Sequence, residues 1–229
     1  MITDPPVLRV RRHFERPPAE QVAALQGAAT VHLVDANNGK GALAAQIKPI
    51  AGIIPAFCGV AITCDAGPGD NLALFGAMSR AEPGDVLMAA TDNYRGASVL
   101  GDLLAGMARN TGIVAIVTDG LARDVGGLEA VGLPVFAAGV SPNSPSRCGP
   151  GVVGMPIVIG GVAVESGDIV VGDADGVVVV PRKQAGEIIA RLRHVRAAEA
   201  ILEAKVKAGL CMLESVADLL ASDRVETIE

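Results

Sequence analysis

Hydrophobic positions along the chain follow two rhythms, and the change near residue 140 separates them. Before it, short β-branched runs alternate with segments of helical spacing. After it come short strands joined by glycine turns. Pro18-Ala19-Glu20 opens an amphipathic helix with Val22, Leu25 and Ala29 on one face, and Thr30–Asp35 fits either a strand or a second helix. Lys40 to Pro49 is a glycine-punctuated connection. Val60–Cys64 predicts a strand ending at the turn Ala66-Gly67-Pro68-Gly69-Asp70, residues 71–80 a helix, and Asp85–Ala90 the next strand.

A helix starts at Gly101, with Leu103, Leu104 and Met107 as its apolar stripe, and ends near Asn110-Thr111-Gly112. Ile113–Val117 reads as a buried strand and Asp124 to Val131 as a short helix. Leu133–Phe136 reads as a strand in which Pro134 marks an edge or a strand start. Beyond the proline-rich loop Ser141–Gly151, strands are expected at 157–159, 162–164, 169–172 and 177–180. A helical tail then runs from about Gln184 to Leu220 with a break near Gly209, and residues 1–17 form an arm with room for one short helix. Alternating α and β followed by hairpins predicts one α/β domain over 1–229 with a mixed central sheet.

Composition narrows the picture. Of 229 residues half are hydrophobic, yet there is no Trp, one Tyr and four Phe, so the core must be aliphatic. A net charge of −6, with basic clusters no longer than Arg9-Arg11-Arg12 and Arg191-Arg193-Arg196, argues against a broad nucleic-acid surface. Four cysteines without CxxC spacing read as core thiols in a reducing compartment. Neither a signal-like apolar run at the N-terminus nor an uncharged apolar stretch of membrane-spanning length is visible, so a cytoplasmic protein without membrane contact is expected.

The candidate chemistry lies where two helices begin. Asp102 and the pair Arg123-Asp124 are separated by twenty residues that read helix, turn, strand, turn. A helix start offers free N–H groups and a favourable potential for an anion. Arg123 suits a substrate carboxylate and Asp124 a hard cation. Each residue also has an ordinary reading: Asp102 as a dipole-complementing acid, Asp124 as an N-cap, Arg123 as a solvated arginine.

The flanks decide what this spacing resembles. The stretches PGDNLALFGAMSRAEPGDVLMAATDN, GDLLAGMARNTGIVAIVTDGLARDV, LPVFAAGVSP and GGVAVESGDIVVGDADGVVVVP together resemble the RraA-like family over roughly residues 20–205. That family includes the metal-dependent 4-hydroxy-4-methyl-2-oxoglutarate and 4-carboxy-4-hydroxy-2-oxoadipate aldolases. The resemblance implies an α/β sandwich with a swivelling β/β/α-type mixed sheet, and a homotrimer or dimer of trimers with active sites between subunits. It implies that backbone amides of Gly101, Asp102, Leu103 and Leu104 hold a pyruvyl carboxylate and that Asp102 hydrogen-bonds a metal-bound water. It further implies that Arg123 pairs with keto-acid oxygens and that Asp124 ligates Mg²⁺ or Mn²⁺. An acid from a neighbouring subunit is implied as well; Glu199 is the candidate, with Glu203 and Glu187 as alternatives.

The implied activity is that of a class II pyruvate aldolase, a carbon–carbon lyase, with oxaloacetate decarboxylation as a side activity because both reactions pass through the same enolate. Other members resemble non-catalytic regulators of a ribonuclease, which stays open as the alternative. A methyltransferase reading has little to stand on, since no glycine-rich cofactor loop follows the first strand. Asp173-Ala174-Asp175-Gly176 resembles part of a calcium loop, but its twelfth position is Gln184, and a hairpin turn is expected. Gly149–Gly161 lacks a nucleotide-binding pattern, and neither Lys40 nor Lys48 stands out as a Schiff-base lysine. Arg147 is open between a contact to the distal carboxylate of a dicarboxylic substrate and a plain surface position.

Overall fold

The structure, a computed structural model, describes residues 6–50 and 56–228. The chain divides into two compact units, residues 1–192 and 193–229. The first is built on a mixed sheet whose strands lie in the order Leu8–Val10, Gly151–Val153, Phe57–Asp65, Asp85–Ala90, Ala115–Thr118, Val135–Ala137 and Lys48–Pro49. The four central strands of that order, from Phe57–Asp65 to Val135–Ala137, are mutually parallel. Parallel neighbours need crossovers, and helices Leu72–Met78, Asp102–Asn110 and Val125–Val131 provide them. Phe57–Asp65 also pairs on its other side, with Ile169–Asp173 near its start and Gly151–Val153 at its end.

Period-two alternation explains the two cores. Ile62, Cys64, Leu87, Ala89 and Ile116 point to the helices, where they pack with Leu74, Leu104, Ala108 and Leu128. Their neighbours Ala61, Val86, Met88, Ala115 and Val117 pack on the other face with Ile157, Ile159, Val170, Val177 and Val179. The result is the mixed α/β sandwich of the expected fold, with hairpins Ile157–Val164 and Ile169–Val180 opposite the helical face.

Several expectations are corrected. Among the described residues of the arm there is no helix; Leu8–Val10 is a strand parallel to Gly151–Val153, and the arm's first five residues lie outside the described ones. Ala29 does not belong to the first helix, which is Ala19–Leu25, but precedes the second, Thr30–Ala36. The helix after Gly101 buries Leu104, Ala105 and Ala108, whereas Leu103 and Met107 are exposed. Pro134 is a strand start, since Val135–Ala137 has neighbours on both sides. Only Cys58 and Cys64 are core thiols; Cys148 and Cys211 are exposed. Burial pushes the Cys58 thiol up to about 11, which keeps it unreactive.

The turn at Asp173–Gly176 closes a hairpin, and the Asp173 carboxylate accepts from both the N–H and the hydroxyl of Thr30 at the start of Thr30–Ala36. In the second unit, Glu214–Leu220 follows the helix Ala185–Lys207, whose last residues lie there, and Ile201, Val206, Met212, Leu213 and Leu220 are exposed. Among the described residues no helix is long and apolar enough to cross a membrane.

Candidate functional site

A two-stranded parallel ribbon assembles the site. Ser98–Leu100 pairs with Leu121–Ala122, and the N–H of Arg123 donates to the Leu100 carbonyl at 3.0 Å. The residues that follow each strand, Gly101-Asp102 and Arg123-Asp124, therefore emerge side by side. They form part of the wall of a cavity of about 360 Å³ with Asn71, Phe75, Leu103, Leu104, Ser144 and Arg147.

Asp124 occupies the cap position of helix Val125–Val131 in the left-handed conformation, with φ 58° and ψ 48°, and makes no side-chain capping bond. An aspartate at a helix start ordinarily uses its carboxylate on the first-turn N–H groups. Here the backbone bears strain of about 1 kcal/mol and the carboxylate is turned elsewhere. It faces Arg123, with 3.2 Å between Asp124 Oδ2 and Arg123 Nε. Gly101 makes room for it, because a Cβ at 101 would stand 2.3 Å from Asp124 Oδ2. Arg123 is held from its other end by a hydrogen bond from Nη1 to the Ser144 hydroxyl.

Asp102 lies in the first turn of Asp102–Asn110, with Oδ1 accepting from the Leu103 N–H at 2.7 Å. Its carboxyl rests on Gly127, where a Cβ would approach Asp102 Oδ2 to 2.3 Å. Two helix starts thus interlock through two glycines, each accommodating the other's aspartate.

The far wall comes from the loop after Val135–Ala137. Asp70 anchors it, accepting from the Leu72 N–H, the Ser146 hydroxyl and the N–H groups of Cys148 and Gly149. Desolvation pushes the Asp70 carboxyl up, but these four hydrogen bonds outweigh it and hold the group below the usual carboxylate range. Arg147 lies over the Phe75 ring, 4.4 Å from its centroid, and donates from Nε to Asn71 Oδ1 at 3.2 Å. Asn71, Phe75, Ser144 and Gly127 were not singled out by sequence spacing; only the Gly126-Gly127 pair at a helix start was a visible signal.

The donor set fits one kind of cation. Among the described residues no three His, Cys, Asp or Glu side chains converge as a metal cage. A partly exposed carboxylate that caps nothing, in a cavity roomy enough for waters, suits a hard cation that takes one protein oxygen and keeps most of its hydration. The two aspartates and two arginines of the wall leave it without net formal charge. Of the proposed acids, Glu187 pairs with Arg191 and Glu203 with Lys207 along the helix, while Glu199 is exposed on the helical second unit.

The family signature described as RraA-like: Aldolase/RraA matches residues 30–179, a stretch that holds every strand and helix of this cavity. The chain belongs to the RraA-like family. A relative from Halalkalibacterium halodurans, named provisionally a 4-hydroxy-4-methyl-2-oxoglutarate aldolase, is 35% identical over 73% of this chain and 80% of its own length. Two solved RraA-like structures carry a different description. RraAS2 of Streptomyces coelicolor, described as an unusual member of the RNase ES inhibitor RraA family, is 27% identical with a TM-score of 0.74, over 83% of this chain and 99% of that one. The RNA-processing inhibitor RraA from Thermus thermophilis is 27% identical with a TM-score of 0.62, over 67% and 93%.

Proposed function

We propose that this RraA-like protein is a divalent-cation-dependent pyruvate aldolase. Its substrates are 4-hydroxy-4-methyl-2-oxoglutarate, cleaved to two pyruvates, or 4-carboxy-4-hydroxy-2-oxoadipate, cleaved to pyruvate and oxaloacetate. The observation that carries the reading is the strained, uncapping Asp124 beside Arg123 at the mouth of the helix that begins with Asp102.

Cleavage breaks the C3–C4 bond of a 4-hydroxy-2-keto acid. The C4 hydroxyl loses its proton, C4 becomes a carbonyl, and the bond's electrons pass through C3 onto the 2-keto oxygen. The first-turn N–H groups of Asp102–Asn110 have no acceptor within the helix beyond the one Asp102 supplies to Leu103, and they hold the 1-carboxylate. Arg123, fixed by Ser144 and Asp124, meets the charge on the 2-keto oxygen, a contribution on the order of 3 kcal/mol. A divalent cation held by Asp124 would act as Lewis acid toward the 2-keto and carboxylate oxygens, worth about several kcal/mol. The hydroxyl proton goes to Asp102, or to Glu199 acting from a neighbouring copy in a trimer or dimer of trimers, and a proton returned to C3 of the enolate releases pyruvate. Loss of CO₂ from oxaloacetate makes the same enolate, so decarboxylation accompanies the main reaction.

The test couples pyruvate release to lactate dehydrogenase, with Mg²⁺ and with chelator. Cation-dependent pyruvate supports the reading; none from either substrate with Mg²⁺ or Mn²⁺ removes it. The solved RraA relatives described as inhibitors favour a second reading, protein contact with a ribonuclease. A pull-down with wild type and Arg123→Ala separates the two, because an inhibitory surface does not need Arg123 in the cavity.

A further inference from the structure

Resting on the keto-acid reading of this cavity, we infer that Arg147 is its second anion reader and makes the protein select keto acids that carry a carboxylate at the far end. Arg147 is held in a way unusual for a surface arginine. Its guanidinium carbon lies over the Phe75 ring, 4.4 Å from the centroid, and Nε is committed to Asn71 Oδ1 at 3.2 Å. Asn71 itself is only 4% exposed, so the acceptor that fixes the guanidinium is part of the interior. Among the described residues no carboxylate pairs with Arg147, in contrast to Arg16, Arg123, Arg182 and Arg191.

With Nε occupied, the terminal Nη1 and Nη2 edge remains, the geometry that grips a carboxylate end-on through two parallel N–H groups. The aromatic face and the amide hold this edge before any ligand arrives, which limits the ordering cost of binding. The supporting loop is equally fixed. Ser146, Cys148 and Gly149 are tied to Asp70, and Asn143 receives hydrogen bonds from Ser98 and gives one to the Gly96 carbonyl. Arg123 and Arg147 line the same 360 Å³ cavity, one beside the helix start that takes the keto-acid end and the other on the loop wall. A linear keto acid with carboxylates at both termini has one anion for each.

Binding of 2-oxoglutarate and of 2-oxopentanoate, which has the same length and keto-acid end but no distal carboxylate, is compared by titration calorimetry with Mg²⁺ present. Wild type is expected to prefer 2-oxoglutarate at least tenfold. Arg147→Gln should cost 2-oxoglutarate at least tenfold and leave 2-oxopentanoate within twofold. Phe75→Leu, which keeps the cation but removes its support, should fall between the two proteins. Equal weakening of both anions in Arg147→Gln, no weakening of either, or no binding of either by wild type overturns the inference. Pyruvate release measured in parallel keeps the failures apart: selectivity without aldol cleavage sinks the aldolase alone, and cleavage without Arg147-dependent selectivity sinks the subsite alone.

Discussion

Gly101 and Asp124 occupy one another's space: a single added carbon at 101 would stand 2.3 Å from the Asp124 carboxylate. That carboxylate faces Arg123 at 3.2 Å, so the glycine is what lets the acid and the cation meet. Gly101→Ala should push Asp124 away with little harm to the core. Pyruvate release is expected to fall at least a hundredfold while the thermal midpoint stays within a few degrees. A fully active alanine variant would mean the carboxylate's position is irrelevant.

The left-handed backbone of Asp124 gives a prediction of opposite sign for stability and activity. Asp124→Gly removes strain of about 1 kcal/mol, partly offset by glycine's greater freedom in the unfolded chain, for a net gain of roughly 0.5 kcal/mol. Activity should be lost. Urea unfolding of wild type and variant, beside the pyruvate assay, checks both halves; Asp124→Asn should lose activity with stability nearly unchanged.

Gly127 carries the weight of Asp102 in the same manner. A Cβ there would approach Asp102 Cβ to 2.6 Å, a contact between two short side-chain stems that cannot swing aside. Gly127→Ala is therefore expected to cost about 1–3 kcal/mol and to displace Asp102 from the cavity. Chemical denaturation gives the first number and kcat the second consequence.

Acid should loosen the loop wall. Asp70 is held below its ordinary value in the folded state, so its stabilising contribution is complete above the unfolded value of about 4 and disappears as pH falls through the lower, folded one. Stability should drop as pH falls below about 4, with a slope that Asp70→Asn reduces. Unfolding midpoints across that range measure it; identical slopes in both proteins would show that Asp70 does not anchor the loop.

The sequence displayed more of the scaffold than of the wall. Helix starts at 102 and 125 were legible because Gly101 and Asp124 punctuate clear apolar periods, and the late hairpins because glycine turns separate β-branched runs. The ribbon that joins the two helix starts was not, since Ser98–Leu100 and Leu121–Ala122 are too short to show a period. Nor was the place of Arg147, which depends on Phe75 and Asn71 from a distant helix start and on a loop pinned by Asp70. The exposure of Leu103 and Met107 went unread for a related reason. Met107 is three residues from Leu104 and four from Leu103, so the spacing groups them, but Leu103 and Met107 border the cavity, where an apolar rim is permitted.

Enolate stabilisation can be observed with pyruvate alone, by following its methyl proton signal in D₂O with the protein and Mg²⁺. The account predicts methyl exchange at least tenfold faster than in a protein-free control, lost on adding chelator and lost in Arg123→Ala. Exchange no faster than the control, from a folded protein with saturating cation, would contradict it.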